Sequence, residues 1–250
     1  MRYVVGLMLG LTLTGSALAS IFSWKQVSAE SWLVADSDGK IIQGENIDDV
    51  RSIASITKLM TTMVVVDAAQ DMDEVLAVKH STGLRKFTRA ELIQLAMVRS
   101  DNVAADALCR YYPTGYEACI GAMNAKAQAL GLEKTRFVDA TGLDFRNIST
   151  ARELIRIVAI SSGYAPINLA SKTPQFKIQL RKRWLIFNNT NPIIGQRHEF
   201  IVSKTGYIRV AGGCVVMMLD TDKGVRTVVV LGSKNTRTRI PEAEFIADSK

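Results

Sequence analysis

Strand-forming patterns at both ends of the chain enclose a block of helical ones, and that order leaves few folds open. Near the start, Trp32 to Ala35 and Lys40 to Gly44 are short runs joined by the turn signal Asp36-Ser37-Asp38-Gly39. Near the end, Glu199 to Thr205, Cys214 to Leu219 and Val225 to Leu231 are β-branched runs separated by Gly and Asp turns. Phe176 to Leu180 and Leu185 to Phe187 also read as extended. Between the two groups, helical patterns cover Ser55 to Ala69, Val103 to Tyr111 and Tyr116 to Leu130, with a short strand at Glu74 to Val78. Two more helices open on box-like sequences: Thr88-Arg89-Ala90-Glu91, running through Val98, and Thr150-Ala151-Arg152-Glu153, running to about Ser161. A last helix is expected around Pro241 to Ala247. The pattern predicts an α+β fold: an antiparallel sheet assembled from both termini, flanked by helices, with a helical lobe at roughly 70–165 inserted in it.

The 250 residues suffice for a sizeable core, with 48% hydrophobic and 22% charged residues, and no repeat or long linker divides them. The first nineteen are a case apart. Arg2, an apolar stretch from Tyr3 to Thr14 and the small-residue end Ala17-Leu18-Ala19 read as a secretory signal peptide cut after Ala19. The apolar stretch is short for a membrane span, and no Cys follows it to carry a lipid. The expectation is therefore residues 1–19 as signal, residues 20–250 as one domain, and membrane attachment only through an uncleaved leader. Net charge is +7, and the surplus suits surroundings rich in anionic polymer. The basic residues are scattered, as at Arg181-Lys182-Arg183, without aromatic stacking partners, which argues against a nucleic-acid partner.

Three cysteines in an exported chain leave at least one unpaired. Cys109 and Cys119 flank the break Tyr112-Pro113-Thr114-Gly115, so a helical hairpin could bring them together. An oxidising compartment would then permit a bond, and two free thiols are the alternative. Cys214 lies in a buried strand pattern and reads as a small core residue.

Chemistry concentrates in three short elements. Ser-x-x-Lys occurs twice, and context separates the copies. Ser37 and Lys40 lie in a turn with no fixed relation, whereas Ser55 opens an apolar helix and Lys58, one turn on, shares its face. The bland reading of Ser55 is an N-cap, but a lysine in the first turn opposes the helix dipole. Ser100-Asp101-Asn102 joins two helices in the lobe, where a plain helix boundary would use the same residues. Lys204-Thr205-Gly206 ends a strand pattern and occurs once. Each has an ordinary structural explanation, but their order, each on a suitable element, does not arise easily by chance.

In that order the three elements resemble the signature of penicillin-binding proteins and serine β-lactamases. The flanking stretches 53–61 and 137–144, with Asn189-Thr190-Asn191-Pro192, are similar to the low-molecular-mass D-alanyl-D-alanine peptidases. Ser203 to Tyr207 with Ala211 to Cys214 resembles their soluble endopeptidase subgroup. The resemblance implies a serine β-lactamase/transpeptidase-like fold and an acyl-enzyme on Ser55, with neutral Lys58 as base and Ser100 relaying a proton to the leaving amine. It implies that Asn102 holds Lys58 and the substrate backbone, that Lys204 and Thr205 bind a carboxylate, and that Gly206 lets the strand approach. The backbone N–H groups of Ser55 and Tyr207 would form an oxyanion hole. The partners implied are a peptidoglycan peptide as substrate and β-lactams as covalent inhibitors, at an exported, periplasmic or envelope location. No cofactor and no metal are implied.

Other chemistries fit less well. The only histidines, His80 and His198, read as surface residues, and neither a Gly-x-Ser-x-Gly elbow nor a His-x-x-x-His pair is present. A β-lactamase of the related class needs an extra Glu for deacylation, but residues between Thr135 and Glu153 follow the D-alanyl peptidase pattern. D,D-carboxypeptidases usually carry a second β-rich domain and an amphipathic anchor, whereas this chain runs about forty-five residues beyond Lys-Thr-Gly. That favours an endopeptidase, with a carboxypeptidase next and a non-catalytic binding or sensing protein last.

Overall fold

A five-stranded antiparallel sheet, in the order β2-β1-β11-β10-β9, organises the molecule in a computed structural model that describes residues 27–80, 83–180 and 183–249. The expected leader and Arg181-Lys182 lie outside those residues. Strands β1 (Ser31–Ala35) and β2 (Ile41–Glu45) come from the start of the chain. Strands β9 (Phe200–Ile208), β10 (Gly212–Thr221) and β11 (Gly224–Ser233) come from its end. β1 docks beside β11, pairing Leu33 with Val229, so the two termini meet inside one sheet.

Alternation of side chains explains why these strands are apolar along their length. Leu33, Ala35, Val202, Val216, Val229 and Leu231 face one side and join the core shared with most of the helices. Trp32, Val34, Val215, Met217, Val228 and Val230 face the other and pack beneath α7 (Arg239–Ala247) through Ile240, Ala243 and Ile246. Both faces are covered, so both sets of side chains must be apolar. β9 is left at one edge and β2 at the other.

The intervening helices follow the expected order. A 3-10 turn, Ala54–Thr57, leads directly into α1 (Lys58–Asp67), so Ser55 precedes the α-helix expected to begin with it. Helix α2 (Arg89–Gln94) opens on a complete capping box between Thr88 and Glu91. It does not run to Val98 as an α-helix but continues as a π-helical segment, Leu95–Arg99, that stops at Ser100. Then come α3 (Asn102–Arg110), α4 (Tyr116–Ala129) and α5 (Ala151–Ser161). Thr150 caps α5 by accepting from the Glu153 N–H, but Glu153 turns away to Lys134 and Thr135, leaving that box half formed. α6 (Ala165–Lys172), the two-residue strands β3 (Arg51–Ser52) and β6 (Ile148–Ser149), and the partner strand of the first hairpin were not anticipated. The hairpins are β4 (Val75–His80) with β5 (Gly83–Thr88), and β7 (Gln175–Leu180) with β8 (Arg183–Asn188).

Cys109 and Cys119 form a disulfide with a Cα separation of 5.3 Å, tying the last turn of α3 to the first of α4. Cys214 is fully buried on β10, and burial pushes its thiol up to about 11. His198 is half-buried, edge-on to Phe200, rather than a free surface residue, because β9 begins two positions later and draws the segment inward. No helix among the described residues is long and apolar enough to cross a membrane.

Candidate active site

Ser55 sits on a turn gripped from two sides by glycine. Ala54, before it, adopts a left-handed φ of 46°, which an L-residue holds at a cost of about 1–2 kcal/mol. Its carbonyl is fixed by the Thr57 hydroxyl at 2.7 Å, and the Ile53 N–H donates to Asn147 O. Gly142, at φ 81°, touches the same peptide: a Cβ there would lie 1.9 Å from Ala54 O. From the sheet side, a Cβ on Gly206 would lie 2.9 Å from Ser55 N and 3.0 Å from the Ala54 Cβ. The edge strand therefore lies flush against the serine only because Gly206 has no side chain.

Lys58, the first residue of α1, is fully buried beneath Ser55. Its Nζ lies 2.9 Å from Ser55 Oγ, 2.7 Å from Asn102 Oδ1 and 2.7 Å from the Thr141 carbonyl. Three acceptors match the three N–H bonds of an ammonium. A neutral amine fits equally well, donating to Asn102 and Thr141 and receiving the Ser55 hydroxyl proton on its lone pair. Burial drives its pKa down to about 7, against opposing attraction from Asp139 and Asp101. Both forms are thus accessible near neutral pH.

Ser100 occupies a left-handed conformation, φ 59°, at the end of the π-helical segment. That kink aims its Oγ at Lys204 Nζ, 2.8 Å away. Asp101 is the N-cap of α3, accepting from the Ala104 N–H at 2.9 Å, and this fixes Asn102 at the helix start. Lys204 is buried on β9, also donating to its neighbour's carbonyl, Thr205 O, at 2.9 Å. Burial first, then repulsion from Lys58 and Arg239, holds its pKa well below the usual lysine value. Thr205 Oγ1 donates to Thr190 Oγ1 at 2.7 Å, Gly206 is buried, and Tyr207 is exposed at the rim.

Every residue expected at the site is thus present on it or at its edge. Ser55, Lys58 and Asn102 form one cluster, and Ser100 with Lys204 a second. Thr205, Gly206 and Tyr207 continue along β9. The other Ser-x-x-Lys pair lies on an exposed turn, where Ser37 Oγ reaches only Asp38. Sequence reasoning missed Thr141, Asp139, Asn147 and Thr190. The stretch 137–144 and Asn189 to Pro192 contain three of them, but Thr141 and Asp139 act through backbone groups and Thr190 through a lone hydroxyl, and none carries a motif of its own.

The arrangement is that of a serine hydrolase with a lysine in place of histidine, and residues 18–235 match the D-alanyl-D-alanine carboxypeptidase family, peptidase S11. The chain belongs to this family of serine peptidases. It is 37% identical over 235 residues to a D-alanyl-D-alanine endopeptidase of Pseudomonas aeruginosa, covering 88% of this chain and 76% of the relative. It is 36% identical over 244 residues to the D-alanyl-D-alanine endopeptidase of Escherichia coli, covering 91% and 79%. In structure it is similar to the Streptomyces K15 DD-transpeptidase, with a TM-score of 0.81 at 25% identity over 88% of this chain and 95% of that one. The α+β, transpeptidase-like fold expected from the sequence is the fold observed.

Proposed function

We propose that the chain is an exported D-alanyl-D-alanine endopeptidase that cleaves peptidoglycan cross-links through an acyl-enzyme on Ser55. One observation carries the mechanism: a buried Lys58, with a pKa near 7, sits 2.9 Å from the Ser55 hydroxyl. Neutral Lys58 takes the hydroxyl proton as Oγ bonds to the carbonyl carbon of the scissile D-Ala peptide. The backbone N–H groups of Ser55 and Tyr207 receive the oxyanion, a role supported by the close approach at Gly206. As the C–N bond breaks, the proton held by Lys58 passes by way of Ser100 to the departing amine, with Lys204 as the neighbour of Ser100, and Lys58 is neutral again. Lys58 then takes a proton from the water that attacks the ester and returns it to Ser55 Oγ as the acid is released.

The free edge of β9 can pair with an extended peptide, and Asn102 can hold its backbone from the opposite side. A substrate carboxylate arriving at Lys204 and Thr205 offsets the repulsion among Lys204, Lys58 and Arg239 and restores the charge on Lys204. A β-lactam enters the same path, its ring C–N bond opening as Ser55 is acylated. Glu153, the one glutamate between Thr135 and Glu153, is held by Lys134 N and Thr135 Oγ1, which leaves it out of any deacylation step at Ser55.

The preference for cross-links rests on relatives. Identity is 36–37% to the two endopeptidases and 30% to an Escherichia coli D-alanyl-D-alanine carboxypeptidase. Release of a terminal D-alanine is the second reading, favoured by the family's own description. The signal cut after Ala19 and one catalytic domain over residues 20–250 belong to the same proposal. A fluorescent penicillin tests the nucleophile: it should label the wild type and not Ser55→Ala. Equal labelling of both refutes the acyl-enzyme. Purified cross-linked muropeptide assayed beside a pentapeptide tests the substrate, and free D-alanine as the dominant product would overturn the endopeptidase assignment.

A further inference from the structure

Lys58 is in contact with a main-chain carbonyl, and that carbonyl has its own support. Thr141 O lies on a loop that is held from within by one carboxylate. Asp139 Oδ1 accepts from Thr141 N at 2.5 Å, Gly142 N at 2.6 Å, Thr141 Oγ1 at 3.0 Å and Asn147 Nδ2 at 3.3 Å. Asp139 Oδ2 accepts from Asp144 N at 2.7 Å. Short side chains that collect neighbouring backbone N–H groups in this way close a turn and fix its carbonyls outward. Two further ties lock the loop to the catalytic turn and to α1. Fully buried Asn147 donates to Thr57 Oγ1 at 3.1 Å, and Thr61 Oγ1 donates to Ala140 O at 2.8 Å. The loop therefore presents Thr141 O to Lys58 and Gly142 to the Ala54–Ser55 peptide as one rigid piece.

We propose that Asp139 is a positioning residue for the catalytic lysine, fixing the Thr141 carbonyl against Lys58 and placing a negative charge that governs the pH at which Ser55 is acylated. This rests on the Ser55–Lys58 reading above. The charged groups that face Lys58 are few. Asp139 comes from the loop, Asp101 from the head of α3, and Lys204 from β9, with Arg239 behind Lys204. Asp139 and Asp101 favour the protonated amine and burial the neutral one, while Lys58 in turn disfavours the charge on Lys204. Asp101 is engaged in capping α3, so Asp139 is the carboxylate tied directly to the lysine's own acceptor.

The sign follows. Removing the Asp139 charge makes protonated Lys58 less favourable, so more of it is neutral at a given acidity. The midpoint of acylation against pH should then move down, not up, even if the plateau falls through loss of the Asp144 contact.

The test is the second-order rate of labelling by a fluorescent penicillin from pH 5 to 9, each variant scaled to its own plateau. Wild type should show a midpoint near 7, following Lys58. In Asp139→Asn the midpoint should fall by about one unit. One unit below the wild-type midpoint, its scaled rate should be about fivefold higher than wild type. Asp139→Glu, which keeps the charge, should restore the midpoint. A lowered plateau with an unmoved midpoint would overturn the proposal and leave Asp139 a structural anchor only. If Asp139→Asn fails to fold, Asp139→Gln against Asp139→Glu gives the same contrast, and loss of the fold in both neutral variants would also overturn it. A wild type that takes no label at any pH refutes the serine reading itself, so the two failures are distinguishable.

Discussion

Gly142 shows how tightly single residues constrain the nucleophile. At φ 81° an alanine would be strained, and its Cβ would sit 1.9 Å from the Ala54 carbonyl oxygen, a backbone atom that cannot swing aside. Gly142→Ala should therefore cost about 2–4 kcal/mol, read as a lower urea midpoint with an unchanged slope. Because the displaced peptide carries Ser55 itself, penicillin labelling should slow on the order of 100-fold. A variant that is as stable and as fast as wild type would show that the turn can move freely. At this scale the sequence reveals the reacting groups and hides their supports. Ser55, Lys58, Ser100, Asn102 and Lys204 are legible because their reactive or polar side chains fall in short motifs. Thr141 contributes a carbonyl, which every residue has. Asp139 binds N–H groups of its own loop, as an aspartate in any loop can. Thr190 touches Thr205 only once β8 has been folded against the site.

Most of the elements legible in the sequence are the buried ones, although the largely exposed β2 and β8 were also read. The core strands β1, β9, β10 and β11 and helices α1, α3, α4 and α5 announced themselves by apolar patterning. β5 did not, because Gly83 to Lys86 are polar or exposed and Phe87 is its one buried residue. α6 is short and buries only Ile167, Ala170 and Ser171, although Pro166 marks its first turn. The π-helical segment before Ser100 cannot be seen in a pattern tuned to 3.6 residues per turn, yet it places Ser100 against Lys204. The Cys109–Cys119 bond belongs to this scale as well. It closes a loop with a sequence separation of 10, for which chain entropy gives about 2–3 kcal/mol. Replacing both cysteines with serine should lower Tm by about 5–10 °C. The bond joins the far end of α3, about two helical turns from Asn102, which is held at the near end by the Asp101 cap. Labelling at 25 °C should therefore be almost unchanged, and a large loss of labelling without loss of stability would contradict that separation.

Over the whole molecule, charge and catalysis occupy different places. The chain carries a net +7 from 31 basic and 24 acidic side chains, most of them scattered over the surface. The two lysines of the site are nearly inaccessible, at 0% and 1% exposure for Lys58 and Lys204. Added salt screens exposed charges over about 10 Å at 0.1 M and about 3 Å at 1 M, and affects buried ones far less. Attraction to an anionic cell-wall polymer and acylation of the serine should therefore separate in a salt series. With Ser55→Ala, so that nothing is cut, the fraction pelleting with purified sacculi should fall several-fold between about 0.05 M and 0.5 M NaCl. Wild-type labelling by penicillin over the same range should change by less than about twofold. Binding that ignores salt would mean the surplus charge plays no part in holding the enzyme to its substrate. Labelling that falls in step with binding would mean that the buried lysines feel the surface field after all, and that the site is less insulated than its geometry implies.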